Sequence, residues 1–279
     1  MSVAVVVDST ADIPLHLQEQ LGITVVPLLV LFGSEQFRDG IDLSNDEFYA
    51  RLAEGKVHPT TSQPSAGDFA EAYQQLATDH EGIVSIHLGG KLSGTVRSAQ
   101  QAAEMVADVP IRVIDSGSVS MGLGFLGIEA AQMAQAGKGL DEIAAGIEAM
   151  IPRIVLWAVL DTLRYLERGG RIGRGRAFLG TLLNVKPLIA VREEVHPVER
   201  VRTHNKAIAR MVELASAEGP YKHLAVLHSA REELANELAD RLGAIHPRDQ
   251  IIVSHLTSVI GVHAGPGTLG VTGIKTSRQ

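Results

Sequence analysis

The segment spanning residues 82–107 constrains the fold most strongly, because it has the pattern of a buried strand, a glycine turn and a helix in direct succession. Residues 82–86 form an apolar run, and two glycines then precede Ser93-Gly94-Thr95, where a helical pattern begins. The first N–H groups of a helix are unpaired and lie at the positive end of its dipole, which favours an anion. The segment therefore predicts an anion-binding turn between a strand and a helix.

The same succession recurs on both sides of this segment. Residues 3–7 form an apolar, β-branched run that stops at Asp8, and residues 111–114 form a second run that stops at Asp115. Helical patterns follow both runs, and this alternation predicts an α/β fold with a buried parallel sheet. Ligands of such sheets bind at the carboxyl ends of the strands. We therefore expect Asp8, Ser93 and Asp115 to lie near one edge of the sheet.

The pattern changes after residue 150, where we place a domain boundary. Residues 1–150 are predicted to form a parallel-sheet α/β domain, and residues 151–279 a mixed α/β domain. The second domain contains a predicted hairpin over 188–201, a strand–helix–strand unit over 224–255 and a strand-like, glycine-rich tail over 259–275. Three further local predictions are a strand over 23–32 interrupted at Pro27, a loop over 56–62 and a helix over 178–183.

The composition describes a globular protein and argues against several classes of function. Apolar residues make up 45% and charged residues 20% of the 279 residues, the balance of a chain that folds around a core. The net charge of −7 argues against general nucleic-acid binding. The lack of cysteine rules out thiol catalysis and agrees with a cytoplasmic location. Neither a signal peptide nor a membrane span is expected from the apolar runs.

A second group of hydroxyl side chains, formed by Thr60, Thr61 and Ser62, also precedes a helical pattern. Such a group is common in an ordinary loop before a capped helix. Ser93 and Thr95 have the same alternative explanation, since serine and threonine are favoured at helix caps. The anion hypothesis requires both hydroxyl groups to face one small ligand.

Two further glycine-rich segments carry side chains that suit an anion. His263 precedes a G-x-G-x-x-G spacing, but the helix and the acidic residue of a dinucleotide fingerprint do not follow it. We interpret this segment as a loop that brings His263 to a site, with a solvated histidine as the alternative. Residues 168–176 alternate arginine with glycine, which is typical of a solvated loop, a phosphate clamp or a docking surface for an acidic partner.

The familiar catalytic motifs are absent from the sequence. There is no G-x-S-x-G elbow, no G-x-x-x-x-G-K-[ST] loop and no H-E-x-x-H pair, and the 11 histidines lack the spacing of metal ligands. We therefore predict no metal and no cofactor. A hydrolase or phosphotransferase that uses Ser93 with His263, or Asp8, stays open as an alternative, because only geometry can test such a group.

Taken together, these segments resemble the DegV family, which includes the fatty-acid-binding subunits of bacterial fatty acid kinase. Two departures from the family pattern are Gly89-Gly90, where many relatives carry serine, and His204-Asn205, where basic residues are common. The matching segments cover most of the chain in family order: VVDSTADIP (6–14), TTSQPSAGDF (60–69), LSGT (92–95), VIDSGSVSMG (113–122), LERGGRIGR (166–174), GTLLNVKPLI (180–189), VRT (201–203) and HAGPGTLGV (263–271).

The resemblance implies two α/β domains with a long-chain fatty acid such as palmitate bound between them. It implies that the acyl chain lies in a buried apolar tunnel and that the carboxylate binds at Thr61, Ser62, Ser93, Gly94 and His263. It further implies a non-enzymatic carrier that presents the acid to a separate ATP-dependent kinase subunit, which phosphorylates the carboxylate. Arg171 and Arg202 match family positions on a charged surface that we expect to dock the kinase. Transient contact with a membrane surface is expected as well.

Overall fold

The computed structural model describes residues 2–178 and 185–277. The strands within these residues are β1 Val3–Asp8, β2 Ile23–Val26, β3 Leu29–Phe32, β4 Glu35–Arg38, β5 Thr60–Ser62, β6 Gly82–His87, β7 Ile111–Asp115, β8 Ile154–Val159, β9 Lys186–Arg192, β10 Glu194–Val201, β11 Tyr221–His228, β12 Ile251–His255 and β13 Leu269–Lys275. The α-helices are α1 Leu15–Leu21, α2 Asn45–Glu54, α3 Ala66–Ala77, α4 Thr95–Met105, α5 Met121–Gln135, α6 Leu140–Glu148, α7 Arg164–Arg168, α8 His204–Glu218, α9 Glu232–Leu242 and α10 Ser258–Ala264.

The first sheet is parallel throughout and has the strand order β2-β1-β6-β7. Its strand β1 is buried along its whole length because its side chains alternate between helices on the two faces of the sheet. Val6 packs with Phe69 of α3 and Ala99 of α4, whereas Val7 packs with Leu126 of α5. The predicted parallel-sheet domain is therefore confirmed, and β1 and β7 end at Asp8 and Asp115 as expected.

The second sheet is mixed and has the strand order β10-β9-β8-β13-β11-β12, in which only β11 and β12 run parallel. Its two faces have different partners. Trp157 and Val159 face α8 and α9, while Leu156, Ala158 and Leu160 face the parallel-sheet half of the chain. The sheet therefore presents one aliphatic face to the interior between the two halves.

A third, small sheet with the order β4-β3-β5 corrects two predictions. The predicted strand over 23–32 is two strands in different sheets, because the backbone turns at Pro27, which cannot donate to a ladder. The predicted loop over 56–62 ends in a short strand, because Thr60–Ser62 pairs with β3. Thr61 thus lies on a strand edge rather than in a free loop.

The tail contains the largest error of the secondary-structure prediction. Residues 259–275 were expected to be strand-like, but the first part is the helix α10, and the strand begins only at Leu269. The helix contains β-branched residues and a glycine, which favour helices weakly, and packing against β3, β5 and α2 stabilises it instead.

The remaining predictions are confirmed or lie outside the described residues. The hairpin over 188–201 and the strand–helix–strand unit over 224–255 are present. The predicted helix over 178–183 falls almost wholly outside the described residues. The boundary near residue 150 lies in the connection between α6 and β8 and stays a prediction. In the described part of the chain, no helix has the length and apolar character needed to cross a membrane.

Candidate functional site

An apolar cavity lies between the mixed sheet and the parallel-sheet half of the chain. Its unfilled space, counted together with its open mouth, is about 890 Å³. The mixed sheet forms one wall, and α10 and the glycine turn after β6 form others. Lining residues from these elements include Leu156, Leu160, Ile189, Leu92, Val259 and Ile260. Both halves of the chain therefore contribute to the cavity.

A small polar group interrupts the aliphatic lining and includes Thr61, Ser93, Arg171 and His263. Thr61 Oγ1 on β5 is 2.9 Å from Nε2 of His263, which lies near the end of α10. These two residues are 202 positions apart in the chain and meet because α10 packs on β3 and β5. Residues from three separate predicted segments thus line one cavity, as the anion hypothesis requires. Their role as carboxylate ligands stays a prediction.

His263 is neutral at physiological pH, because burial, together with the charges of Arg171 and His58, lowers its pKa to about 4. Its Nδ1 is buried without a hydrogen-bond partner and lies so close to Gly169 that a Cβ there would be 2.1 Å away. A buried, unpaired N–H costs more than an unpaired acceptor, so we assign the ring proton to Nε2. His263 then donates to Thr61 Oγ1, and the Thr61 hydroxyl proton is free to donate to a ligand.

The Ser93 hydroxyl makes two contacts with Thr95 within the turn, and these determine whether its proton is available to a ligand. Its Oγ lies 2.9 Å from Thr95 Oγ1 and accepts from the Thr95 N–H at 3.4 Å. The proton of the 2.9 Å contact can come from either hydroxyl, and when Thr95 Oγ1 donates it, the Ser93 hydroxyl proton is free to bond to a ligand. The polar group therefore offers two neutral O–H donors, and a carboxylate accepts such hydrogen bonds well.

The two aspartates that end β1 and β7 hold the turn that carries Ser93. Asp8 accepts from the Leu88 N–H at 2.9 Å and lies 3.1 Å from Nδ1 of His87. Asp115 accepts from the Gly90 N–H at 3.1 Å, and a Cβ at position 90 would lie 2.7 Å from the Asp115 carboxylate. The repeated Asp-Ser pattern is thus a pair of anchors on either side of the turn, and Gly90 leaves room for one of them.

The alternative catalytic group is not assembled in this geometry. Asp8 is fully buried, and its carboxylate is engaged by Thr10, His87 and Leu88. His263 bonds to Thr61 rather than to Ser93, and no hydrogen bond links it to Asp8. Across the described residues, no cluster of three or more His, Asp or Glu side chains is placed to hold a metal ion.

The comparison with known proteins agrees with the motifs. The model of the DegV family, a family described as uncharacterised, matches residues 2–276. The chain belongs to the DegV family. It is 42% identical to a DegV domain-containing protein of Streptomyces coelicolor over 274 residues, which are 96% of this chain and 97% of the relative. It is also 37% identical to the protein DegV of Bacillus subtilis over 276 residues, which are 97% and 98% of the two chains.

Solved structures of DegV proteins share the fold and bind fatty acids. A DegV family protein from Thermus thermophilus with fatty acid binding matches with a TM-score of 0.92 at 34% identity over 99% of this chain and 100% of that one. DegV of Bacillus subtilis, a fatty acid binding protein, matches with a TM-score of 0.89 at 36% identity over 99% and 100%. A stearic acid-binding protein from Eubacterium ventriosum matches with a TM-score of 0.90 at 25% identity over 98% of each chain.

Two predicted head-group residues of this DegV family member lie beside the cavity rather than on its wall. Ser62 is exposed, and its hydroxyl donates to the Gln63 carbonyl at 3.2 Å. Gly94 precedes α4, and a Cβ there would lie 2.2 Å from Oε1 of Gln63. Any larger residue at position 94 would displace the Gln63 amide, which donates to Ser98 at 2.9 Å.

The two predicted docking arginines have different environments. Arg171 is exposed but lines the cavity, and its guanidinium donates to the carbonyls of Leu92 at 3.1 Å and Gly169 at 2.7 Å. Arg202 is exposed, lies outside the cavity lining and forms no ion pair with any described residue. Arg171 therefore stabilises the mouth of the cavity, and Arg202 is free for another molecule.

Sequence reasoning missed several residues of the site. Thr10, Ser120 and Thr268 line the cavity, and the aliphatic residues of α10 form one of its walls. The motif segments 6–14, 113–122 and 263–271 contain Thr10, Ser120 and Thr268, but no spacing rule within those segments indicates which side chain faces the cavity. Gly169 was missed as well, although the glycine pair beside Arg168 is a signal of close packing.

Proposed function

We propose that this DegV family member is a carrier, rather than an enzyme, that binds a long-chain fatty acid such as palmitate. The carboxylate binds at the Thr61 and Ser93 hydroxyls, and His263 contributes through its hydrogen bond to Thr61. Ser62 and Gly94 lie beside this site, and the acyl chain fills the apolar cavity. The observation that carries this proposal is a mainly aliphatic cavity whose lining includes the hydroxyl groups of Thr61 and Ser93 together with His263. The fatty acid binding of DegV structures with the same fold supports it. The two domains of the proposal are residues 1–150 and 151–279.

The head-group residues Thr61, Ser93 and His263 are neutral. Among the described residues, the one cation beside them in the cavity lining is Arg171, which already donates to two carbonyls. This arrangement suits a substrate that another protein must modify. Thr61 and Ser93 donate hydrogen bonds without forming an ion pair, so the carboxylate oxygens keep their negative charge and their nucleophilicity. We propose that a separate ATP-dependent kinase subunit uses the bound acid in the cytoplasm. A carboxylate oxygen attacks the γ-phosphorus of ATP, the bond to the β-phosphate oxygen breaks, and acyl phosphate and ADP are formed. Arg171 and Arg202 are the proposed docking residues.

The ligand is identified by native mass spectrometry and by organic extraction of the purified protein. We expect one long-chain fatty acid per chain. A cavity that holds a nucleotide, or a protein that does not bind added hexadecanoic acid, would overturn the proposal.

Two substitutions test the assigned residues, and a third serves as the control. Ser93→Ala is expected to weaken hexadecanoic acid binding about tenfold, since it removes one hydrogen bond to a charged group. Ser216→Ala, on the exposed side of α8, is the matched control and is expected to bind as the wild type does. Arg202→Ala is expected to keep the fatty acid affinity and to lower acyl phosphate formation by the kinase subunit. If the kinase subunit forms acyl phosphate equally well with the wild type and with Arg202→Ala, Arg202 is not part of the docking surface.

A further inference from the structure

The helix α10 is held by two buried carboxylates from the other half of the chain. Asp12 Oδ1 accepts from the Thr257 N–H at 3.1 Å, and Asp39 Oδ1 accepts from the Val259 N–H at 3.3 Å. The Ser254 hydroxyl also donates to the Asp12 carbonyl at 2.6 Å. Asp12 and Asp39 are only 5% and 3% exposed, so these contacts are shielded from water.

Keeping two acids in this position is energetically costly. No lysine or arginine within the described residues pairs with either carboxyl, and Oδ2 of Asp39 has no hydrogen-bond partner. Burial raises the pKa of Asp12 to about 8 and that of Asp39 to about 6, and the charge of Asp39 adds to the first shift. Stability alone would favour apolar residues at such positions. The cost therefore points to a role beyond stability.

Asp12 also touches the cavity wall through Ser120. The Ser120 hydroxyl donates to Asp12, and its N–H donates to the Thr10 carbonyl at 2.8 Å. Ser120 has φ 57° and ψ −149°, a backbone conformation that is strained for any residue except glycine. Both Ser120 and Thr10 line the cavity. Asp12 therefore connects the wall of the cavity with the start of α10.

The helix that these acids hold carries the head-group histidine. His263 lies four residues after Val259, about one helical turn away, and α10 also lines the cavity with Val259, Ile260 and Ala264. The helix has little room to move, since a Cβ at Gly261 would lie 2.5 Å from the Phe48 ring. We propose that Asp12 and Asp39 are positioning residues that fix α10 so that His263 meets Thr61. This inference rests on the proposed fatty acid binding.

The test compares Asp39→Ala with Glu129→Ala, which removes another buried carboxyl that contacts Lys222 and His223 rather than α10. Each folded variant is titrated calorimetrically with hexadecanoic acid and with its methyl ester, which lacks the charge that the head-group site binds. Asp39→Ala is expected to weaken acid binding about tenfold and ester binding less than about threefold, since the hydrogen bonds to the charged group are misplaced. Glu129→Ala is expected to leave both affinities unchanged.

Two further variants separate positioning from a general loss of structure. Asp39→Asn keeps an oxygen that can accept from Val259 and is expected to restore most of the acid affinity. In a His263→Ala background, Asp39→Ala is expected to change acid binding by less than about twofold, because the residue through which it acts is gone. Asp12→Ala removes the other anchor and is expected to give the same acid-selective loss, so the inference remains testable if Asp39→Ala does not fold.

The outcomes distinguish this inference from the function on which it rests. A wild-type protein that does not bind hexadecanoic acid refutes the proposed function. Three outcomes would refute the positioning role alone. Asp39→Ala could lower the affinity for the acid and for the ester equally, or lower the acid affinity as much in the His263→Ala background as in the wild type. The folded Asp39→Ala and Asp12→Ala proteins could also bind the acid with wild-type affinity.

Discussion

Replacing Thr61 by valine is a direct test of the head-group geometry. Valine has nearly the same shape as threonine but lacks the hydroxyl that receives the His263 Nε2–H at 2.9 Å and that we expect to donate to the carboxylate. A hydrogen bond to a charged group contributes about 1.5–3 kcal/mol, so the substitution is expected to weaken fatty acid binding about 10- to 150-fold. The His263 Nε2–H loses its acceptor in the free and the bound protein alike, so that loss lowers the stability of the fold rather than the affinity.

The assay is calorimetric titration of hexadecanoic acid at neutral pH, where His263 is uncharged because its pKa is about 4. Thr60→Val is the matched control, since Thr60 is the exposed neighbour on the same strand and does not line the cavity. We expect this control to bind like the wild type, and both variants to bind the methyl ester with nearly wild-type affinity. A Thr61→Val protein that binds the acid within about threefold of the wild type would refute the assigned proton positions and the hydroxyl donor.

Three other predictions follow from the same structure. Shortening the acid by two methylene groups is expected to cost about 1.6 kcal/mol, or about 15-fold in the dissociation constant measured by titration, as long as the chain stays buried. Gly169→Ala is expected to displace the His263 ring and to weaken acid binding more than ester binding in the same titration. Burial raises the pKa of Asp12 from 3.8 to about 8, so its proton stabilises the folded chain at low pH, and chemical denaturation should show the free energy of unfolding falling as pH rises from about 4 to about 8. Asp39 contributes to this slope below its pKa of about 6, and the slope between about pH 6 and 8 should be lost in Asp12→Asn.

The parallel-sheet half could be predicted from the sequence because its signals are local. Apolar β-branched runs that stop at Asp8 and Asp115 mark buried strands, and each aspartate lies where the carboxyl end of such a strand must be. The turn with Ser93 could be placed at the same edge for the same reason. What the two aspartates bond to could not be predicted, since their hydrogen bonds to Leu88 and Gly90 depend on the neighbouring strands.

The helix that carries His263, and the contact of His263 with Thr61, could not be predicted from the local sequence pattern. α10 is a helix because of the surfaces on which it packs, and its own residues favoured a strand-like prediction. The contact between Thr61 and His263 spans 202 residues and depends on the short pairing of β5 with β3. Asp39 gave no signal, and Asp12 only lies within the motif segment 6–14, because the burial of an acid is visible only once its surroundings are known. The sequence pattern indicated His263 in an expected loop, but only the fold shows that it lies on α10 and which residues fix that helix.

The positions of the charged and hydroxyl groups in the cavity lining predict the orientation of a bound fatty acid. The aliphatic part of the cavity contains hydroxyl groups that are already bonded to the protein, such as those of Ser120 and Thr268, and a carboxylate buried among them would lack both water and a counterion. Arg171 is the cation that lines the cavity within the described residues, and it is exposed. Under the proposed function, the fatty acid therefore binds with its carboxylate on the side of the exposed Arg171, beside Thr61, Ser93 and His263. The proposed kinase subunit would then approach from that side while the acyl chain stays in the cavity.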